Sequence, residues 1–115
     1  MTSLRSFPSN ANLHSIGPAL LYVNVTWCPH CKAARPILER VSGILGSQVP
    51  VYSVDGDERD DLARALGVSS FPTIIYVSKG GARYAYDGPR TVDGIASSVC
   101  HHSEAYPFCE RLKRK

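Results

Sequence analysis

The sequence predicts an α/β domain, a central mixed β-sheet flanked by helices on both faces. Three observations predict it. Strand-like apolar runs alternate with segments of helical spacing, in the order β-α-β-α-β-β-α. The run Ala19-Leu20-Leu21-Tyr22-Val23-Asn24-Val25 is apolar almost throughout, as a strand covered on both faces must be. Lys79-Gly80-Gly81 supplies the turn of an antiparallel hairpin, which makes the sheet mixed.

Each element follows from its own residues. Leu4–Phe7 allows an extra short strand, and Ser9–His14, after Pro8, allows a short helix. The strand at 19–25 ends at Trp27 and Cys28. From there to Ile44 the apolar residues Ala33, Ile37, Leu38, Val41 and Ile44 recur at helical spacing. Pro36 removes one amide from that helix and predicts a kink. Val49–Val54 reads as a second strand, closed by Asp55-Gly56. Asp57–Leu66 reads as a helix capped by Asp57, with acids in its first turn and Gly67 at its end. Thr73–Ser78 and Ala82–Tyr86 flank the glycine turn, and Thr91 to about His101 is the last helix.

Composition narrows the class. A chain of 115 residues that is 43% hydrophobic makes one domain with a real core. We expect that domain over residues 1–101 and a basic tail over 102–115. The net charge of +3 is mild, and much of the excess lies in Arg111-Leu112-Lys113-Arg114-Lys115. No aromatic residues interleave that run, so nucleic acid is not an expected partner. The longest unbroken apolar stretch, Ala19–Val23, is far too short to span a bilayer. No apolar block of signal-peptide length opens the chain and no retention signal closes it. The expectation is therefore a cytoplasmic monomer without membrane contact.

Chemistry concentrates in Trp27-Cys28-Pro29-His30-Cys31-Lys32. Two cysteines separated by two residues can close a small disulfide ring and reopen it. Cys28 falls at the start of the long helix, where unpaired amides and the positive dipole end favour an anion. It is the expected nucleophile, facing solvent. Cys31, one turn further in, is the expected resolving thiol. An ordinary thiol is only roughly 3% ionised at pH 7. The helix end and His30 both favour the Cys28 thiolate, which makes the disulfide a stronger oxidant. Pro72, forty-one residues after Cys31, stands in Phe71-Pro72-Thr73, which opens an apolar run. A cis bond is inexpensive only before proline, so Pro72 can sit against the cysteines in that form. The same cysteine spacing also suits half a zinc site. Its further ligands could come only from Cys100, His101, His102 and Cys109. That reading leaves Trp27, Pro36 and Pro72 without a role, so no metal is expected.

These motifs resemble the thioredoxin superfamily, over about Ala19 to Val99. The carriers are the Trp27–Lys32 stretch, Pro36, and Phe71-Pro72-Thr73 before the hairpin. Val68–Thr73 and Tyr86-Asp87-Gly88-Pro89-Arg90-Thr91-Val92-Asp93-Gly94-Ile95 are similar to catalytic domains of protein disulfide isomerases. Pro29-His30 instead resembles the bacterial oxidase DsbA. The resemblance implies a thioredoxin fold and thiol–disulfide exchange on protein cysteines. It implies a peptide groove beside Trp27, Phe71 and Pro72, and an Arg90 that speeds the second thiol. It implies no cofactor beyond the Cys28–Cys31 disulfide, and a redox partner such as glutathione or a thiol oxidase or reductase. One position departs from the pattern. Tyr22 stands where these families commonly place a buried carboxylate, and a phenol with pKa about 10 is a poor base near neutrality.

Two matters stay open in the sequence. Cys100 and Cys109, separated by eight residues, fit a structural disulfide, a second redox pair or two unrelated thiols. The function is an oxidase or isomerase, a thioredoxin-like reductase, or a non-catalytic peptide-binding module. Potentials in this chemistry range from about −270 to about −120 mV, roughly 7 kcal/mol for two electrons. Pro29 and His30 favour the oxidising half, and a reducing compartment favours the other.

Overall fold

A computed structural model describes residues 4–8, 11–102 and 106–113. The sheet has five strands in the order β1-β3-β2-β4-β5. These are β1 Arg5–Ser6, β2 Ala19–Asn24, β3 Val51–Asp55, β4 Thr73–Val77 and β5 Arg83–Tyr86. β3 runs parallel to β1 and β2, whereas β4 is antiparallel to β2 and to β5. The helices are α1 Pro29–Leu45, α2 Asp60–Ala65, α3 Val92–His102 and α4 Pro107–Lys113. This is the thioredoxin fold.

The apolar run of β2 is explained by its central place. Leu20 and Tyr22 face one layer, with Ala34, Leu38, Val41 and Leu45 of α1 and Ile95, Ala96 and Val99 of α3. Leu21 and Val23 face the other, with Leu62 and Ala63 of α2. Because both faces are covered, no polar position interrupts the strand until Asn24. Asn24 then spends its amide on Tyr22 O, Ser53 Oγ and Val54 O, at 2.9–3.3 Å. That tie fixes where β2 and β3 stop, and so where the cysteines begin.

Three expectations are revised. α2 starts at Asp60, not Asp57. The Asp55 carboxylate already accepts the Asp57 and Glu58 amides at 2.8 and 3.1 Å, and this Asx turn takes up the residues expected as the first helical turn. The short helix expected at Ser9–His14 falls partly outside the described residues, and Leu13–Ser15 forms a turn. Within the stretch read as a basic tail, Pro107–Lys113 is helical, and Phe108 is fully buried in the α1–α3 layer. Burying such a side chain contributes about 2–3 kcal/mol. α4 is joined to α3 by a Cys100–Cys109 disulfide.

Candidate active site

Cys28 is the N-cap of α1, with extended backbone angles (φ −98°, ψ 112°) and Pro29 at the first helical position. Proline suits that position because its missing amide has no partner there anyway. The Cys28 Sγ accepts the Cys31 amide at 3.1 Å. A sulfur thus occupies the place where a capping oxygen normally sits, among donors that prefer an anion. Cys28 and Cys31 are both free thiols.

The expectation that Cys28 faces solvent is corrected. Only 5% of Cys28 is exposed, against 2% of Cys31. Val25 and the half-buried Phe71 pack around the two sulfurs. The Cys28 thiol donates to Phe71 O at 3.7 Å. The Phe71–Pro72 peptide is cis, as is Gly17–Pro18. Phe71 reaches this position over Gly56, where a Cβ would stand 2.6 Å from the phenyl ring. Trp27 lies edge-on to Phe71, ring centres 6.2 Å apart, and is 66% exposed. Trp27, Cys28, Cys31, Phe71 and Pro72 are therefore one surface.

Asp57 belongs to that surface and sequence reasoning missed it. Its carboxylate accepts the Trp27 indole N–H at 3.0 Å, across thirty residues. The signal that could have found it is the parallel register of β2 and β3. Asn24 pairs with Asp55, so the residues just beyond both strands meet at one end of the sheet.

Tyr22 is buried beneath Cys31, and its hydroxyl donates to the Cys31 carbonyl. Burial pushes the phenol up to about 12, and the Cys31 thiol adds to this while Arg35 and Arg90 oppose it. Its proton is committed to a main-chain oxygen, so Tyr22 clamps the first turn of α1 and supplies no base. Burial likewise pushes the Cys31 thiol up to about 11, helped by its hydrogen bond to Cys28 and opposed by Arg90. Arg90 itself is exposed, one residue before Thr91, whose Oγ1 caps α3 through the Gly94 amide at 3.0 Å. His30 is exposed on the first turn of α1. Cys100 and Cys109 are not among the residues packed on this pair.

The family described as thioredoxin matches residues 5–101, and the chain belongs to it. Within that family it resembles the catalytic-type domains of disulfide isomerases. It is 36% identical over 85 residues to protein disulfide-isomerase 2-3 of Arabidopsis thaliana, covering 74% of this chain and 19% of that protein. It is also 36% identical over 64 residues to a thioredoxin of Borreliella burgdorferi, covering 56% of this chain and 55% of that one. Among solved structures, the first thioredoxin domain of mouse protein disulfide-isomerase A4 superposes with a TM-score of 0.67 at 32% identity, covering 76% of this chain and 64% of that one. The chain spans about a fifth of the length of the isomerase 2-3 and about half that of the thioredoxin.

Proposed function

We propose that this domain is a thiol–disulfide oxidoreductase acting on protein cysteines, with Cys28 as nucleophile and Cys31 as resolving thiol. The observation that carries the reading is the sulfur N-cap: Cys28 Sγ receives the Cys31 amide at the positive end of α1. The Cys28 thiolate attacks one sulfur of a substrate disulfide and releases the other as a thiolate. Cys31, once deprotonated, attacks Cys28 Sγ and expels the second substrate thiolate, leaving a Cys28–Cys31 disulfide. Run backwards, the same two steps oxidise a substrate dithiol. Trp27, Phe71 and Pro72 hold the peptide around the cysteine, and Asp57 fixes the indole.

Two features favour the oxidase or isomerase direction. Pro29 and His30 stand between the two cysteines, a dipeptide whose resemblance to the bacterial oxidase DsbA favours the oxidising direction. Arg90 offers a charge that lowers the Cys31 thiol, as the resemblance of the Gly88–Thr91 segment implies. The test is turnover on a protein disulfide such as that of insulin, together with the potential measured against glutathione. Turnover with a potential above about −200 mV supports an oxidase or isomerase, and one near −270 mV supports a reductase. No turnover, with peptide affinity retained in Cys28→Ser, gives the binding module.

A further inference from the structure

Resting on the oxidoreductase reading above, we infer that the site selects disulfides carrying a carboxylate close to the scissile sulfur. A hollow of about 250 Å³ opens directly at Cys31, lined by Tyr22, Asn24, Thr26, Cys31, Lys32 and Arg35 among others. Two of its walls are cations and none is a carboxylate. Lys32 is exposed and has no ion pair among the described residues. Among the described residues Arg35 has one ion pair, at 3.8 Å to Glu39, and its side chain remains 47% exposed. Such a loose surface pair leaves the guanidinium free to meet a second anion. Arg90 adds a third cation, whose charge reaches both Tyr22 and Cys31.

None of the nearby acids lines this hollow. The Asp57 carboxylate is held by the Trp27 indole, and that of Asp55 by the Asp57 and Glu58 amides. Asp55 and Glu58 line a neighbouring hollow of about 420 Å³, which shares Asn24, Thr26 and Arg35 with the first and adds Arg59. Positive charge therefore borders Cys31, and the acids lie beyond that hollow, Asp57 against the Trp27 indole and Asp55 and Glu58 in the neighbouring one. A substrate carboxylate a few bonds from its sulfur meets Lys32 and Arg35 as Cys28 attacks. In that step Cys28 forms a bond to the substrate sulfur, the substrate S–S bond breaks, and the first thiolate leaves. The Cys31 attack then releases the second, so two electrons pass from the protein dithiol to the substrate disulfide. A substrate ammonium in the same place is repelled. The chemistry is shared by small carboxylate-bearing disulfides and by protein cystines flanked by Asp or Glu.

The experiment follows reduction by the full reduced chain of three small disulfides: glutathione disulfide, neutral bis(2-hydroxyethyl) disulfide, and cationic cystamine. Each rate is divided by that of dithiothreitol with the same disulfide, which removes intrinsic reactivity. The inference predicts a normalised anion-to-cation ratio of about tenfold or more at low salt. It should fall several-fold at about 0.5 M salt, where the screening length drops to a few ångströms. Lys32→Gln with Arg35→Gln should bring the ratio near one, and Lys32→Glu with Arg35→Glu should invert it. Cystine peptides flanked by Glu or by Lys, run beside these, show whether protein or small disulfides profit more. A ratio near one that salt leaves unchanged, with the neutral disulfide still reduced, overturns the inference and leaves the oxidoreductase reading standing. No reduction of the neutral disulfide overturns both.

Discussion

The slow step of this domain should be set by the proton on Cys31. The perturbation is pH alone. With the buried thiol raised to about 11, its thiolate fraction is about one in ten thousand at pH 7 and one in a hundred at pH 9. Tyr22 does not relieve this, because its hydroxyl donates to the Cys31 carbonyl and its own pKa lies at about 12. Burial, the largest cause, persists when Cys28 is held in a mixed disulfide, so resolution should accelerate steeply with pH, by up to about a hundredfold from pH 7 to pH 9, without a plateau near pH 8. The assay loads Cys28 with a chromophoric thiol and follows its release by stopped flow. The folded state holds this proton more tightly than the unfolded chain does. The stability it contributes is complete below the ordinary thiol pKa of about 8.5 and is lost as pH rises through about 11. A resolution rate that is flat, or levels off near pH 8, would refute the reasoning and require a base beside Cys31.

The neighbouring groups give further expectations. Arg90→Ala should slow resolution severalfold at pH 7, with little change in the first attack by Cys28, because its charge favours the Cys31 thiolate. Quenched trapping of the mixed disulfide separates the two steps, and equal resolution rates would return Arg90 to the surface. His30 replaced by a small neutral residue should make the disulfide less oxidising, by about 30 mV for each tenfold change in equilibrium with glutathione. An unchanged potential leaves the helix end as the sole cause. Replacing both Cys100 and Cys109 with alanine should cost about 2.7 kcal/mol, the chain-entropy value for a closed loop of about ten residues. Denaturant midpoints measure this, and a loss below about 1 kcal/mol would mean that Phe108 alone seats α4.

Much of this was legible because short-range patterns decide it. The two-sided apolar run of β2, the helical spacing behind Cys31 and the glycine turn before β5 each name an element without reference to the rest of the chain. Cys28 at a helix start was legible for the same reason, since Pro29 and the periodicity from Ala33 both point to it. What failed depends on distant partners. The burial of Cys28 comes from Phe71, forty-three residues away, folding over Gly56. Asp57 looks like a helix cap until parallel register brings it under Trp27. α4 was hidden by charge: four of the five residues in Arg111-Leu112-Lys113-Arg114-Lys115 are basic, although Phe108 and Leu112 stand one helical turn apart and both pack on the core. The phenol of Tyr22 was expected to be a poor base, and the structure adds the reason that its proton is already engaged.

The most direct test of the account traps the covalent intermediate. Cys31→Ala and Cys28→Ala variants are offered a protein disulfide, quenched in acid, and resolved by non-reducing electrophoresis and mass spectrometry. The account predicts a mixed disulfide through Cys28 that accumulates in Cys31→Ala and none in Cys28→Ala. Accumulation through Cys31 in the Cys28→Ala variant, with none in the other, would contradict the sulfur N-cap as the seat of the attacking thiolate.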